Sequence, residues 1–221
     1  MDNIKLNTMR QQSDNSQLSV TLNDLQKESS DRVYTCLTWM RPSWRVHIWH
    51  YVWALKNWLE IQKYENIQSY FMIADKQVLW DHLEKTDMRR QAVSDMVLDW
   101  IALWLDYEKN PFVIQSQIPA LSELTDYLMM MTPDSWVRMN PTVKAEMRKI
   151  TDGDYWDDQV NVWKNNAKIT SGFVNYPISQ TADIVWFSWN IVPVWADQLP
   201  HIELARRTVK RMNTIAWTNY D

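Results

Sequence analysis

His47 and His50 stand three residues apart in His47-Ile48-Trp49-His50, at the start of a stretch patterned as a helix over 47–64. Both rings then fall on the first turn, beside backbone N–H groups that lack intrahelical partners, a place where a polyphosphate can settle. Tyr176, Gln180 and Asp183 form a second set: spaced i, i+4 and i+7, they share one face of a helix expected over 172–187. An aromatic ring, an amide and a carboxylate on one face suit an aromatic ligand with one N–H donor. A buried carboxylate aimed at that donor rejects ligands that lack it, because it would be left unpaired. Spacing alone settles neither set. Two histidines on a helix are more often surface or core residues, and a tyrosine and an aspartate so placed are more often core packing and a surface charge. Asp157-Asp158 invites a metal reading, but without further ligands at regular spacing it reads as a solvated loop, and no metal site is expected.

The elements that must carry these residues alternate. Strands are expected over 33–37, 69–74, 111–116 and 190–194, and helices over 47–64, 88–105, 119–130, 172–187 and 198–212. Such alternation argues for an α/β fold, a parallel sheet with helices on both faces. Residues 1–31 are polar and read as a loose, flexible extension, or as upstream sequence, with at most a short helix over 19–28. The domain proper runs over 32–221, and 149–171 reads as a solvated loop or short-helix region.

Composition narrows the class. The chain has 15 tryptophans but only two glycines in 221 residues, a glycine share far below the usual ~7%. A net charge of −4 and a pI near 5.6 give no overall basic surface for nucleic acid, though a local patch would suffice. Cys36 is the only cysteine, which excludes an intramolecular disulfide and a multi-cysteine zinc site. The longest apolar stretches are too short to span a bilayer, and the N-terminus has no basic-then-apolar pattern. A cytoplasmic protein without membrane contact is expected.

The tryptophans fall where glycines would be needed. With glycine for tryptophan at 39, 44, 49 and 53, the run 39–57 reads G-M-R-P-S-G-R-V-H-I-G-H-Y-V-G-A-L-K-N. It then resembles the ATP-binding signature of tryptophanyl-tRNA synthetases, including the H-x-G-H motif of class I synthetases. Phe71-Met72-Ile73-Ala74-Asp75, with Gln77 after it, is similar to that family's F-I-A-D turn, and the run from Phe112 to Pro119 to its F-x-Q-S-x-x-P segment. Asn140-Pro141-Thr142-Val143-Lys144 matches a further family phrase. The most specific likeness runs from Gly172 to Ile184 and on through Val192-Pro193-Val194-Trp195-Ala196-Asp197-Gln198 to His201-Ile202-Glu203-Leu204. With glycine for Trp195 this becomes V-P-V-G-A-D-Q-x-x-H-I-E-L, which the tyrosine enzymes resemble less well. The likeness covers about 32–217.

The resemblance implies a Rossmann-like class I synthetase catalytic domain and a tryptophan–tRNA ligase. Such an enzyme joins L-tryptophan to ATP as tryptophanyl-adenylate, then transfers it to tRNA(Trp). It implies catalytic roles for His47 and His50, stabilising charge on the phosphates. Arg41, Pro42, Ser43, Trp49, His50, Trp195, Ala196 and Asp197 would contact ATP, with Mg2+ on the phosphates and Asp197 on the ribose. Asp183 would accept the indole N–H, in a tryptophan pocket lined by Tyr176, Gln180, Val192, Val194 and Gln198. A homodimer is implied as well. Two alternatives stay open: a catalytically inactive synthetase-like tryptophan-binding protein, and a tyrosine-specific relative.

Two departures bear on this. Tryptophan can supply neither the positive-φ turns nor the close backbone approach that glycine gives. Trp39 and Trp44 would then strain the loop by about 1–3 kcal/mol each, and Trp49 would put an indole where adenine should lie. Trp104 also stands where the family tends to have glycine, whereas Trp58 and Trp100 stand where tryptophan is plausible. Replacement by one residue type suggests glycine codons read as tryptophan, as when UGA is translated by the wrong code. The chain also ends at Asp221 without a K-M-S-K-S signature, so near-inactivity and exposed apolar surface are expected.

Overall fold

The central strand, β3 (Tyr34–Met40), is threonine- and aromatic-rich and buried on both faces, as a strand inside a covered parallel sheet must be. In the computed structural model the described residues are 5–8, 20–21, 33–43, 45–81, 86–151, 156–157, 162–163, 169–187 and 190–216. The chain divides into one unit of residues 1–119, 188–194 and 221, and a second of 120–187 and 195–220.

The first unit holds the sheet. Besides β3 it contains β1 (Lys5–Thr8), β2 (Val20–Thr21), β4 (Ile67–Ile73), β5 (Phe112–Ile114) and β6 (Ile191–Val192), in the order β2-β1-β6-β3-β4-β5. Strands β6, β3, β4 and β5 are parallel, with Tyr34 opposite Ile67 and Phe71 opposite Phe112. This is the expected α/β, Rossmann-like arrangement. Helix α1 (Ile48–His50) passes through a π-helical turn at Tyr51–Leu55 into α2 (Lys56–Ile61). The Lys56 N–H reaches back to the Tyr51 carbonyl, so the helix expected over 47–64 widens in its middle. Helices α3 (Val78–Asp81) and α4 (Thr86–Ala102) follow β4. Trp58 stacks on Phe71 at 5.3 Å between centroids, and Trp100 meets Trp58 and Phe112 edge-on at 5.4 and 5.2 Å. These rings form the core with Leu55, Ile73, Met96 and Leu105.

The second unit is built of helices α5 (Pro119–Met131), α6 (Asp134–Arg138), α7 (Pro141–Ile150), α8 (Ser171–Trp186) and α9 (Leu199–Ala216). Their apolar stripes meet around Leu128, Val143, Phe173, Ile178, Leu204 and Met212. The Asn140-Pro141 pair starts α7: the Asn140 side chain accepts from the N–H groups of Thr142 and Val143, and proline sits where no N–H is needed. Thr170 caps α8 by accepting the Phe173 N–H at 3.1 Å.

Three expectations are corrected. Residues 5–8 and 20–21 are strands rather than loose chain: β1 pairs antiparallel with β6, and β2 with β1. Val20 and Thr21 are therefore extended, not part of a helix over 19–28. Within 149–171, a two-strand ladder joins Trp156–Asp157 to Val162–Trp163, and Lys149 and Ile150 belong to α7. The other residues of 1–31, and the rest of that loop up to residue 168, lie outside the described residues apart from Thr151. Helices α6 and α7 were not expected.

Candidate functional site

The parallel strands of the first unit deliver the sequence phrases to their C-terminal ends, the edge at which open α/β sheets bind ligands. Strand β3 ends at Met40 and runs into Arg41, Pro42 and Ser43, where the Ser43 N–H closes on the Arg41 carbonyl at 2.8 Å. Arg41 and Ser43 are exposed and Pro42 is buried. Strand β4 ends at Ile73, before Asp75. The buried Asp75 carboxylate accepts the Ser116 N–H at 2.9 Å, so the F-I-A-D turn and the Q-S segment after β5 hold each other.

His47 and His50 come together at the start of α1, with ring centroids 4.0 Å apart. The His47 backbone N–H donates to His50 Nδ1 at 3.2 Å, which leaves the neutral imidazole's proton on Nε2 as a donor. Partial burial, and then the neighbouring His47, push the His50 pKa below its ordinary value. A neutral N–H donor beside an exposed His47 suits an anionic ligand. Asp99 on α4 holds the approach to this turn: its carboxylate accepts the Val46 N–H at 3.1 Å and faces the Arg45 guanidinium at 3.5 Å. In the sequence Asp99 shows only as an interruption of an apolar run; a partner 53 residues away leaves no local signal.

In the second unit, Tyr176, Gln180 and Asp183 share a face of α8 as their spacing requires. Asp183 is 1% exposed and Gln180 is also buried, which removes the surface-charge reading of Asp183. Among the described residues the buried Gln180 amide nitrogen meets no hydrogen-bond partner, a donor that a ligand could take. Trp195, Ala196, Asp197 and Gln198 form the 3-10 turn before α9, exposed or half-buried, with Gln198 Nε2 donating to Asp197 at 3.3 Å. The Asn-Pro-Thr phrase anchors that turn: the Thr142 hydroxyl donates to the Asp197 carbonyl at 2.6 Å and Asn140 to the Pro200 carbonyl at 3.0 Å. Val192 is buried in β6 and Val194 half-buried just after it, both in the first unit. A groove in the second unit, lined by residues including Trp136, Asn140, Leu204 and Arg207, involves none of the expected site residues.

The tryptophans separate sharply. Trp58 and Trp100 are buried core rings, whereas Trp49, Trp53, Trp104 and Trp195 are 62, 50, 84 and 50% exposed. Among the described non-glycine residues Trp104 alone has a positive φ, 66°. Trp39 lies half-buried in β3, so the strain expected there is corrected: a strand residue needs no glycine conformation. Trp44 lies outside the described residues.

The family tRNA synthetases class I (W and Y) matches residues 29–219. The chain is 40% identical over 180 residues to a tryptophan–tRNA ligase of Clostridium longisporum, covering 81% of the chain and 49% of that protein. It is 38% identical over 185 residues to the one of Lactococcus lactis, covering 84% and 50%. The chain thus spans about half the length of these curated relatives. Among solved structures, tryptophanyl-tRNA synthetase of Campylobacter jejuni, complexed with ADP and tryptophan, superposes with a TM-score of 0.69 at 25% identity, over 82% of this chain and 51% of that one. The enzyme of Mycoplasma pneumoniae superposes with a TM-score of 0.72 at 22% identity, over 86% and 51%, a likeness of fold.

Proposed function

Because the chain belongs to the class I tRNA synthetases (W and Y), we propose that it is the amino-acid-activating part of a tryptophan–tRNA ligase. The observation that carries this reading is the 40% identity over 180 residues to a tryptophan–tRNA ligase. In the proposed reaction a carboxylate oxygen of L-tryptophan attacks the α-phosphorus of ATP. The new P–O bond gives tryptophanyl-adenylate, and pyrophosphate leaves with the electron pair of the broken bond. Transfer to tRNA(Trp) then releases AMP. No proton transfer is needed in the first step, so the protein's part is positioning and charge stabilisation.

His47 and His50 donate to the phosphates in this scheme. Arg41, Pro42, Ser43, Trp49, Trp195 and Ala196 border the nucleotide, and Asp197 bonds the ribose. Mg2+ enters with the triphosphate as part of the nucleotide substrate. Asp183 accepts the indole N–H, and Tyr176, Gln180, Val192, Val194 and Gln198 line the pocket. Residues 32–221 are read as the catalytic domain, the protein as a cytoplasmic homodimer. Among the described residues no helix is long and apolar enough to cross a membrane.

A second reading is a tryptophan-binding protein without ligase activity. The exposed indoles of Trp49 and Trp195, at positions read as nucleotide-contacting, favour it. Thermal protection of the chain by L-tryptophan but not L-tyrosine, together with tryptophan-dependent ATP–pyrophosphate exchange, is the expected result. Protection without exchange would favour the second reading, and protection by tyrosine alone would make this a tyrosine-specific relative.

A further inference from the structure

His201 stands in the phrase from Val192 to Leu204 that carries the family likeness, outside the nucleotide and tryptophan contacts proposed for this chain. It is buried at the start of α9, 1% exposed, and its Nε2 lies 3.0 Å from the Tyr176 hydroxyl. The same hydroxyl donates to Glu146 Oε2 of α7 at 2.6 Å. Three helices therefore converge on one phenolic oxygen.

A phenol has one proton and two lone pairs. The contact to Glu146 has the length of a hydroxyl bonded to a carboxylate, which commits that proton. His201 Nε2 must then carry a hydrogen and donate. The opposite ring nitrogen, Nδ1, is buried and meets no hydrogen-bond partner among the described residues, as suits a neutral ring, since an imidazolium would bury an N–H with no acceptor there. Burial pushes the His201 pKa down to about 4, with Asp197, on the turn before α9, pulling weakly the other way. Glu146 of α7, Tyr176 of α8 and Asp197 are the titratable groups that face the ring.

We propose that Glu146 and His201 are positioning residues for Tyr176, fixing its hydroxyl as a hydrogen-bond acceptor toward a donor of the bound amino acid. The proposal rests on the reading of Tyr176 as a tryptophan-pocket residue. With its proton held by Glu146 and its ring edge by His201, the hydroxyl offers any further group only a lone pair. It thereby selects a ligand N–H over a ligand carbonyl or carboxylate at that point.

Calorimetric titration of L-tryptophan into the chain and its variants tests this. His201→Leu, which cannot donate, weakens binding about tenfold, and His201→Gln, whose amide can donate, recovers most of it. In a Tyr176→Phe background, His201→Leu changes nothing further. Equal affinity of His201→Leu and the parent chain overturns the proposal, as does an undiminished loss in the phenylalanine background, which would mark a purely structural role. A parent chain that binds no tryptophan overturns both the proposal and the functional reading. Should the leucine variant fail to fold, 15N NMR of the parent decides. A neutral Nε2–H tautomer for His201 at pH 7 is expected, and an Nδ1–H or doubly protonated ring overturns the proposal.

Discussion

The Leu105 N–H donates to the Trp100 carbonyl at 3.1 Å, closing α4 across the residues between them. With the Trp104 N–H on the Ile101 carbonyl at 3.0 Å, this is a Schellman ending, and it puts Trp104 at the position that must take left-handed backbone. Leu105 and Trp100 meet in the same core, and Gln62 Nε2 holds the Trp104 carbonyl at 3.0 Å. The surroundings thus enforce a conformation that a side chain opposes. Trp104→Gly is expected to raise stability by about 1 kcal/mol, since the ring is exposed and its loss removes little packing. Urea unfolding of the two chains checks it. An unchanged or lowered midpoint would mean the indole compensates for its backbone.

The left-handed backbone at Trp104, and the sequence likeness at the other glycine-like positions, bear on how the chain is encoded. Glycine is expected at 104 and at 39, 44, 49, 53 and 195 in the native protein, and tryptophan at 58 and 100, whose rings build the core. Gene sequencing should show TGA at the first group and TGG at the second. Peptide mass spectrometry of material from the source cell should show glycine at the first group. TGG throughout would leave a real, glycine-poor protein and strengthen the reading without ATP chemistry. Trp100→Ala, in contrast to Trp104→Gly, should destabilise by about 3–5 kcal/mol.

What could be read from residues alone follows from where the information sits. Parallel strands such as β4 are short apolar runs, and α8 has a long patterned stretch with its own phrase, so both were legible. Helices α6 and α7 were not, because Pro133 and Pro141 cut residues 134–150 into pieces too short for a period to show. Asn140-Pro141 nonetheless carried a readable start signal, a cap followed by proline. Strands β1 and β2 escaped because a short polar strand is held by backbone pairing, which side chains do not announce. The site splits the same way: Tyr176, Gln180 and Asp183 lie on one helix at readable spacing, whereas Asp99 and Glu146 act on partners distant in sequence.

Asp99 gives a prediction that separates its two contacts. The Arg45 ion pair is long, with Arg45 largely exposed, and such a pair contributes at most about 1 kcal/mol. The bond from the Val46 N–H is the one that fixes the chain entering α1. Asp99→Asn, which keeps an acceptor oxygen, should leave nucleotide binding nearly intact. Asp99→Ala should loosen 41–47, speed proteolysis there, and raise the ATP KM several-fold without changing that for tryptophan. Equal effects of the two substitutions would show that the charge matters rather than the backbone bond.

The buried His201 makes stability depend on pH, and burial sets the direction. The folded-state pKa of His201, about 4, lies below the ordinary 6.5, so the unfolded chain binds its proton more readily. Stability then rises with pH across that interval: the contribution is complete above about pH 6.5 and disappears as pH falls toward 4. Its full size is about 3 kcal/mol, large beside the margin of a domain this size. His50 shifts in the same direction, but it is too exposed to count for much. Urea unfolding between pH 4 and 8 should therefore show a steep loss on the acid side that His201→Gln flattens, because glutamine takes up no proton. A parallel loss in the variant would assign the acid sensitivity to carboxylates, and His201 would then take up its proton in the folded chain as readily as in the unfolded one.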